Sequence, residues 1–148
     1  MDLYWINGVA GSEHPRSPGD IEWLKRQGIN AIVTLSEYPL PAEWTAGMRV
    51  LHSPVPDFHA PALAQLHEIV RFLDECRSAH CTPLVHCAMG RGRTGTVLAA
   101  WLIAHGAPVQ QALQDVRAQR PGAVETDEQE NMLYEFAIDC RTGEAPPA

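Results

Sequence analysis

The sequence predicts a single α/β domain with a mostly parallel central sheet and helices on both faces. Two runs, Asn30 to Ser36 and Leu84 to His86, are too continuously apolar or β-branched for strands with one wet face, and read as buried parallel strands. Between them Leu63, Leu66, Ile69, Val70 and Leu73 recur at helical spacing opposite Glu68, Arg71 and Glu75, which makes the connection a helical crossover. The strand ending at His86 leads through a glycine-rich turn into the apolar segment Thr96 to Ile103, a second buried helix. In such sheets ligands sit beyond the carboxyl ends of the strands, where this turn lies.

In chain order, Leu3 to Ile6 is expected to form a first strand, with Gly8 and Gly11 punctuating a turn beyond it. Ser17 as N-cap, Pro18 at the first helical position and Asp20 three residues after the cap start a helix that Gly28 can end in the left-handed conformation. Tyr38 to Gly47, with Pro39 and Pro41, reads as a surface connection with a helical turn near Trp44, and Met48 to Val55 as a strand. Prolines flank Asp57, Phe58 and His59, so Pro56 to Pro61 is a loop. Val109, Leu113 and Val116 mark a helix stopped near Pro121, and Met132, Leu133, Phe136, Ala137 and Cys140 mark the last one. Arg141 to Ala148 is polar and proline-bearing, as expected of a mobile tail.

The chain has 148 residues, of which 45 % are hydrophobic and 20 % charged, as in an ordinary globular domain. No apolar run approaches the ~20 residues of a membrane span. The opening residues, Met1 to Trp5, lack the basic region of a secretory signal, so the expectation is a cytoplasmic, monomeric protein with no membrane partner. A formal net charge of −7 argues against binding nucleic acid, which needs clustered Lys and Arg. Arg91 and Arg93, with His86 beside them, would form a local positive spot on that acidic body. Arg91 admits a second reading, as a solvated loop charge. The four cysteines, at 76, 81, 87 and 140, show no metal-like spacing. Cys81 and Cys87 are separated by a strand, which at ~3.3 Å per residue puts them about 20 Å apart and beyond disulfide reach. Cys76 and Cys140 fall on apolar helix faces as packing residues. The histidines at 14, 52, 59, 67, 80 and 105 do not cluster at ligand spacing, so no metal or other cofactor is expected.

Chemistry concentrates in Cys87, Ala88, Met89, Gly90, Arg91, Gly92 and Arg93. In a strand-to-helix turn the backbone N–H groups can converge on an anion, and the helix dipole favours negative charge at the same point. A helix N-terminus and nearby cations are also what lowers a cysteine pKa from ~8.5 to roughly 3.5–7.5, so Cys87 is the candidate nucleophile. The planar fork of Arg93 suits two oxygens of a phosphoryl group in line with that sulfur. Gly90 and Gly92 permit close backbone approach, and Thr94 could donate to the sulfur when it leaves. Strand direction turns His86 inward, as an organiser of the loop. Expelling an alkoxide or phenolate from phosphorus needs a proton donor, and Asp57, thirty residues before Cys87, is the candidate acid.

The string His86-Cys87-x-x-Gly90-x-x-Arg93-Thr94-Gly95 resembles the signature of the cysteine-dependent protein tyrosine phosphatases, in particular their small atypical dual-specificity branch. Trp5 with Gly8 and Gly11, Ile32 to Glu37, Pro56-Asp57-Phe58, and Arg120 to Thr126 through Gln129-Glu130 are similar to that branch as well, so the resemblance spans nearly the whole chain. It implies a tyrosine phosphatase-like fold over residues 1–141, a tail at 142–148, and hydrolysis of phosphotyrosine and phosphoserine or phosphothreonine through a phosphocysteine. Asp57 matches the position of the family's general acid and Gln129 that of a water-positioning glutamine. Glu125 is a candidate to brace Arg93 by an ion pair.

Three alternatives remain open. The same chemistry could serve a phosphoinositide, a nucleotide or another phosphorylated metabolite. A rhodanese-like sulfurtransferase also sets a cysteine in an anion loop, but needs no acid like Asp57. An inactive phosphoresidue-binding module would typically lack the nucleophile or the arginine.

Overall fold

The computed structural model describes residues 1–142. Its sheet has five strands: β1 (Tyr4–Ile6), β2 (Val9–Ser12), β3 (Ala31–Thr34), β4 (Arg49–His52) and β5 (Pro83–His86), in the order β1-β2-β5-β3-β4. Only β1 and β2 pair antiparallel; the other neighbours are parallel. The helices are α1 (Pro18–Arg26), α2 (Leu63–Ser78), α3 (Gly92–Ala104), α4 (Val109–Gln119) and α5 (Asp127–Thr142), with a short 3-10 turn at Ala42–Thr45.

Strand parity sorts the core into two layers. Ala10, Leu84 and Ile32 form a cross-strand row that packs with Ile21, Leu24 and Leu40, so α1 and its neighbouring connection cover one face. Val85 and Val33 point the other way into the larger core of Leu66, Leu98, Trp101 and Phe136, under the four remaining helices. Gly11, beside Val85 in the same row, bears no side chain because its place is filled: a Cβ there would lie 2.7 Å from the Tyr4 ring and 2.9 Å from Leu98. The last row, Ser12, His86 and Thr34, is polar and lies at the carboxyl ends of three adjacent strands.

Several boundaries differ from the expectation. The segment read as a turn around Gly8 and Gly11 contains β2, which is central enough to pair with β5; four residues with one glycine and a serine carry no strand signature of their own. Helix α3 starts at Gly92, before Arg93, so the arginine stands in the first helical turn rather than closing the loop. Arg141 and Thr142, expected in a tail, continue α5; the rest of that expected tail, 143–148, lies outside the described residues. The N-cap of α1 is as expected, with the Ser17 side chain accepting from the Asp20 amide at 3.1 Å and Gly28 following at φ +94°.

Candidate active site

Cys87 leaves β5 toward the helix-covered face and is 2 % exposed, with Thr94 Oγ1 donating to its Sγ at 3.0 Å. The loop beyond it is held open from outside. Ala88 O accepts from the His14 amide at 3.1 Å, Met89 O from Arg120 Nη2 at 2.9 Å, and Gly90 O from the Tyr4 hydroxyl at 2.7 Å. Arg91 O accepts from the amides of Gly95 at 2.9 Å and Val124 at 3.2 Å. Across a trans peptide the N–H points opposite to the carbonyl. Each carbonyl drawn outward therefore turns the next N–H, those of Met89, Gly90, Arg91 and Gly92, toward the cavity. Gly90 is required where it stands: its φ is +76°, and a Cβ would lie 2.6 Å from the Ser12 carbonyl carbon.

Arg93 is 2 % exposed. Its Nη1 donates to Val55 O at 2.8 Å and to Glu37 Oε1 at 3.0 Å, and its Nη2 stands 3.4 Å from Asp57 Oδ1. Its Nε is buried without a hydrogen-bond partner. A buried, unpaired donor on a charged group is costly; the residue lines a cavity of about 140 Å³ together with Asp57, Phe58, Cys87, Met89, Arg91 and Glu125 among others. The structure brings Cys87, Arg93, Asp57 and Thr94 together as one cluster.

The expected brace from Glu125 to Arg93 is not formed. Glu37, at the carboxyl end of β3, holds the guanidinium instead, while the Glu125 carboxylate packs over Gly92, where a Cβ would collide with it. The Glu37 carboxyl is held below its usual range by its own backbone N–H and then by Arg93. Gln129 is fully buried, but both ends of its carboxamide are engaged: Oε1 accepts from the amides of Glu125 at 2.8 Å and Thr126 at 3.2 Å, and Nε2 donates to His59 O at 3.1 Å.

His86 points inward as expected, its Nε2 2.8 Å from Thr34 Oγ1. Burial, reinforced by the neighbouring His14, pushes its pKa down to about 3. It is therefore neutral at ordinary pH and adds nothing to the positive spot that the sequence suggested. Burial, with the Cys87 sulfur next in weight, pushes the Tyr4 phenol well above its ordinary range, so it stays a protonated donor to Gly90. Cys76 is buried and Cys140 packs against the main core, as expected of both. Among the described residues, no three His, Cys, Asp or Glu side chains gather as a metal site, and no helix is long and apolar enough to cross a membrane.

Sequence reasoning missed Tyr4, His14, Glu37 and Arg120. Glu37 had a usable signal, since it directly follows a buried strand and so falls at the same end of the sheet as Cys87. The other three lie on elements far apart in sequence, and nothing local marks them.

Comparison with known proteins agrees with this geometry. A family model described as "Tc-R-P: Polymorphic toxin system, DSP-PTPase phosphatase" matches residues 10–107. Cyclin-dependent kinase inhibitor 3 of Sus scrofa is 35 % identical over 130 residues, covering 79 % of this chain and 61 % of the relative. Phosphatidylglycerophosphate phosphatase PTPMT2 of Arabidopsis thaliana is 30 % identical over 125 residues, covering 80 % and 55 % respectively. The chain thus spans somewhat over half the length of these relatives. The crystal structure of Tk-PTP in the active form superposes with a TM-score of 0.86 at 39 % identity, covering 92 % of this chain and 96 % of that one. With the matching model reaching from β2 through α3, and so taking in the whole loop from Cys87 to Arg93, the chain belongs to the family of dual-specificity and tyrosine phosphatases.

Proposed function

We propose that the chain hydrolyses phosphate monoesters of tyrosine, and of serine and threonine, in proteins through a phosphocysteine intermediate. The observation that carries this reading is the set of loop carbonyls drawn outward behind Cys87, which turns the following N–H groups inward, with Arg93 on the same cavity: a site for a trigonal array of phosphoryl oxygens with a nucleophile at its base.

In the first step the Cys87 thiolate attacks phosphorus in line with the ester oxygen. The S–P bond forms, the P–O bond breaks, and Asp57 gives its proton to the departing alcohol or phenol. The loop amides and the Arg93 fork hold the three equatorial oxygens. Asp57 is already at the cavity rim, 3.4 Å from Arg93 Nη2. In the second step Asp57, now a carboxylate, takes a proton from water as its oxygen attacks phosphorus. The P–S bond breaks and inorganic phosphate departs. The Thr94 hydroxyl at 3.0 Å stabilises the sulfur as leaving group.

A second reading, the same chemistry on a phosphoinositide, nucleotide or other phosphorylated metabolite, is favoured by one feature. Arg91 lines the cavity beside the phosphate loop, so a second anionic group on the substrate would find a cation there.

The test is phosphate release from an aryl phosphate without added metal. Cys87→Ser should abolish turnover while phosphate binding persists, because the loop amides and Arg93 remain. Turnover retained within about tenfold, some 1.4 kcal/mol of barrier, would remove Cys87 from the nucleophile role. Thiocyanate release from thiosulfate and cyanide by the wild type would turn the reading to sulfur transfer.

A further inference from the structure

Asp57 rides on a segment with little structure of its own, a turn closed by the His59 amide on Pro56 O at 3.1 Å. Inside it Phe58 has φ +66°, a left-handed conformation that costs a bulky residue about 1–3 kcal/mol and persists only where its surroundings impose it. Asp57 itself is met from the sheet side, its amide donating to Glu37 Oε2 at 3.3 Å, and its Oδ1 accepts from the Phe58 amide at 2.9 Å; the groups that meet the residues after it come from the start of α5. Three successive residues of the segment are each met by a side chain. Phe58 O accepts from Thr126 Oγ1 at 3.0 Å, His59 O accepts from Gln129 Nε2 at 3.1 Å, and the Ala60 N–H donates to Glu128 Oε2 at 2.9 Å. The other Glu128 oxygen stands 3.3 Å from His59 Nδ1.

The clamp is itself braced. Gln129 is fully buried and its Oε1 ties the amides of Glu125 and Thr126, so it cannot swing without undoing the first turn of α5. The Ala60 amide, foremost, keeps the Glu128 carboxyl below its ordinary range and so charged and accepting. A side chain committed at both ends in this way is poorly suited to holding a water.

We propose that Thr126, Glu128 and Gln129 are positioning residues that together fix the Asp57 segment onto the start of α5 and aim the acid at the leaving-group oxygen. This rests on the reading of Asp57 as general acid. A clamp of this kind bears on both steps in which Asp57 moves a proton; kcat/KM reports the first of them alone, and there its loss falls on substrates with basic leaving groups.

Glu128 is the residue to test, because its side chain is 55 % exposed and its loss opens no cavity in the core. The measurement is kcat and KM across aryl phosphates of rising leaving-group pKa, with Asp57→Asn as the benchmark and thermal unfolding as the control. Glu128→Ala should leave the most acidic phenol within about threefold and slow the most basic by at least about tenfold, or 1.4 kcal/mol. The loss should appear in kcat/KM, which isolates the step in which the leaving group departs. Glu128→Gln should restore most of it, since a carboxamide oxygen still accepts from Ala60 N–H. If Asp57→Asn steepens the leaving-group dependence and Glu128→Ala does not, the clamp is refuted while the acid stands. A flat dependence in Asp57→Asn would instead withdraw the acid assignment and the clamp with it.

Discussion

His86 shows how a residue beside a nucleophile can matter without carrying charge. Its ring is fully buried against Thr34 and His14, and its pKa is pushed down to about 3 from an ordinary 6.5. Between those values the unfolded chain binds a proton that the folded one refuses, so the stability that neutral His86 contributes is complete above about pH 6.5 and is lost as pH falls toward 3. Denaturant midpoints measured from pH 7 to pH 4 should fall steadily, and His86→Asn, which keeps a polar partner for Thr34 but cannot titrate, should flatten that fall. An equally steep fall in the variant would assign the acid lability to other groups. His86 was legible in the sequence as an inward-facing residue because strand parity fixes direction. Its charge state was not, because burial by α1-side neighbours and by His14 is a tertiary fact. The same limit explains Glu125 and Glu37: nearness to Gln129 made 125 the candidate acid for Arg93, whereas the strand ends bring another, at 37, into contact.

At the scale of elements, the unit β5-loop-α3 was legible because its apolar strand, glycines and apolar helix are contiguous. The groups that shape the loop were not, because they come from β1, from the stretch after β2 and from the turn after α4. Gly90 is where these elements meet, its carbonyl held by Tyr4 on β1 and its Cα pressed against Ser12 at the end of β2. Gly90→Ala should therefore be severe. An alanine at φ +76° costs roughly 1 kcal/mol or more, and its methyl would have to displace the Ser12 backbone. The loop can relieve the clash only by rotating the peptide that Tyr4 holds, which turns the Arg91 N–H out of the cavity. The expected result is at least about a hundredfold loss of kcat/KM, ~2.7 kcal/mol, with vanadate binding weakened in parallel. Unimpaired vanadate binding would mean that the loop amides are not the anion site.

For the molecule as a whole, the group behind the phosphate decides the substrate class. A formal net charge of −7 sets an acidic body around a cavity that carries Arg91 and Arg93, which disfavours polyanionic surfaces while admitting a discrete phosphorylated group. Arg91 is the residue whose role depends on that choice. It is half-buried, its side chain lies over Gly122, and its backbone carbonyl is already engaged in holding the loop. Removing its side chain thus leaves the carbonyl bonds intact and takes away only charge and packing at the rim. With a phosphotyrosine peptide, whose one phosphate is held by the loop amides and Arg93, Arg91→Ala should change kcat/KM by no more than about fivefold, roughly 1 kcal/mol. With a substrate that carries a second phosphate the same change should cost far more, because a charge-assisted hydrogen bond is worth about 1.5–3 kcal/mol. A kinetic panel of phosphotyrosine and phosphothreonine peptides, phosphoinositides and nucleotides, run on wild type and Arg91→Ala, decides between them. Peptides leading the panel and indifferent to the mutation support a protein substrate. A phosphoinositide or nucleotide that leads it, and loses its lead in Arg91→Ala, transfers the same cysteine chemistry to a small or lipid phosphate.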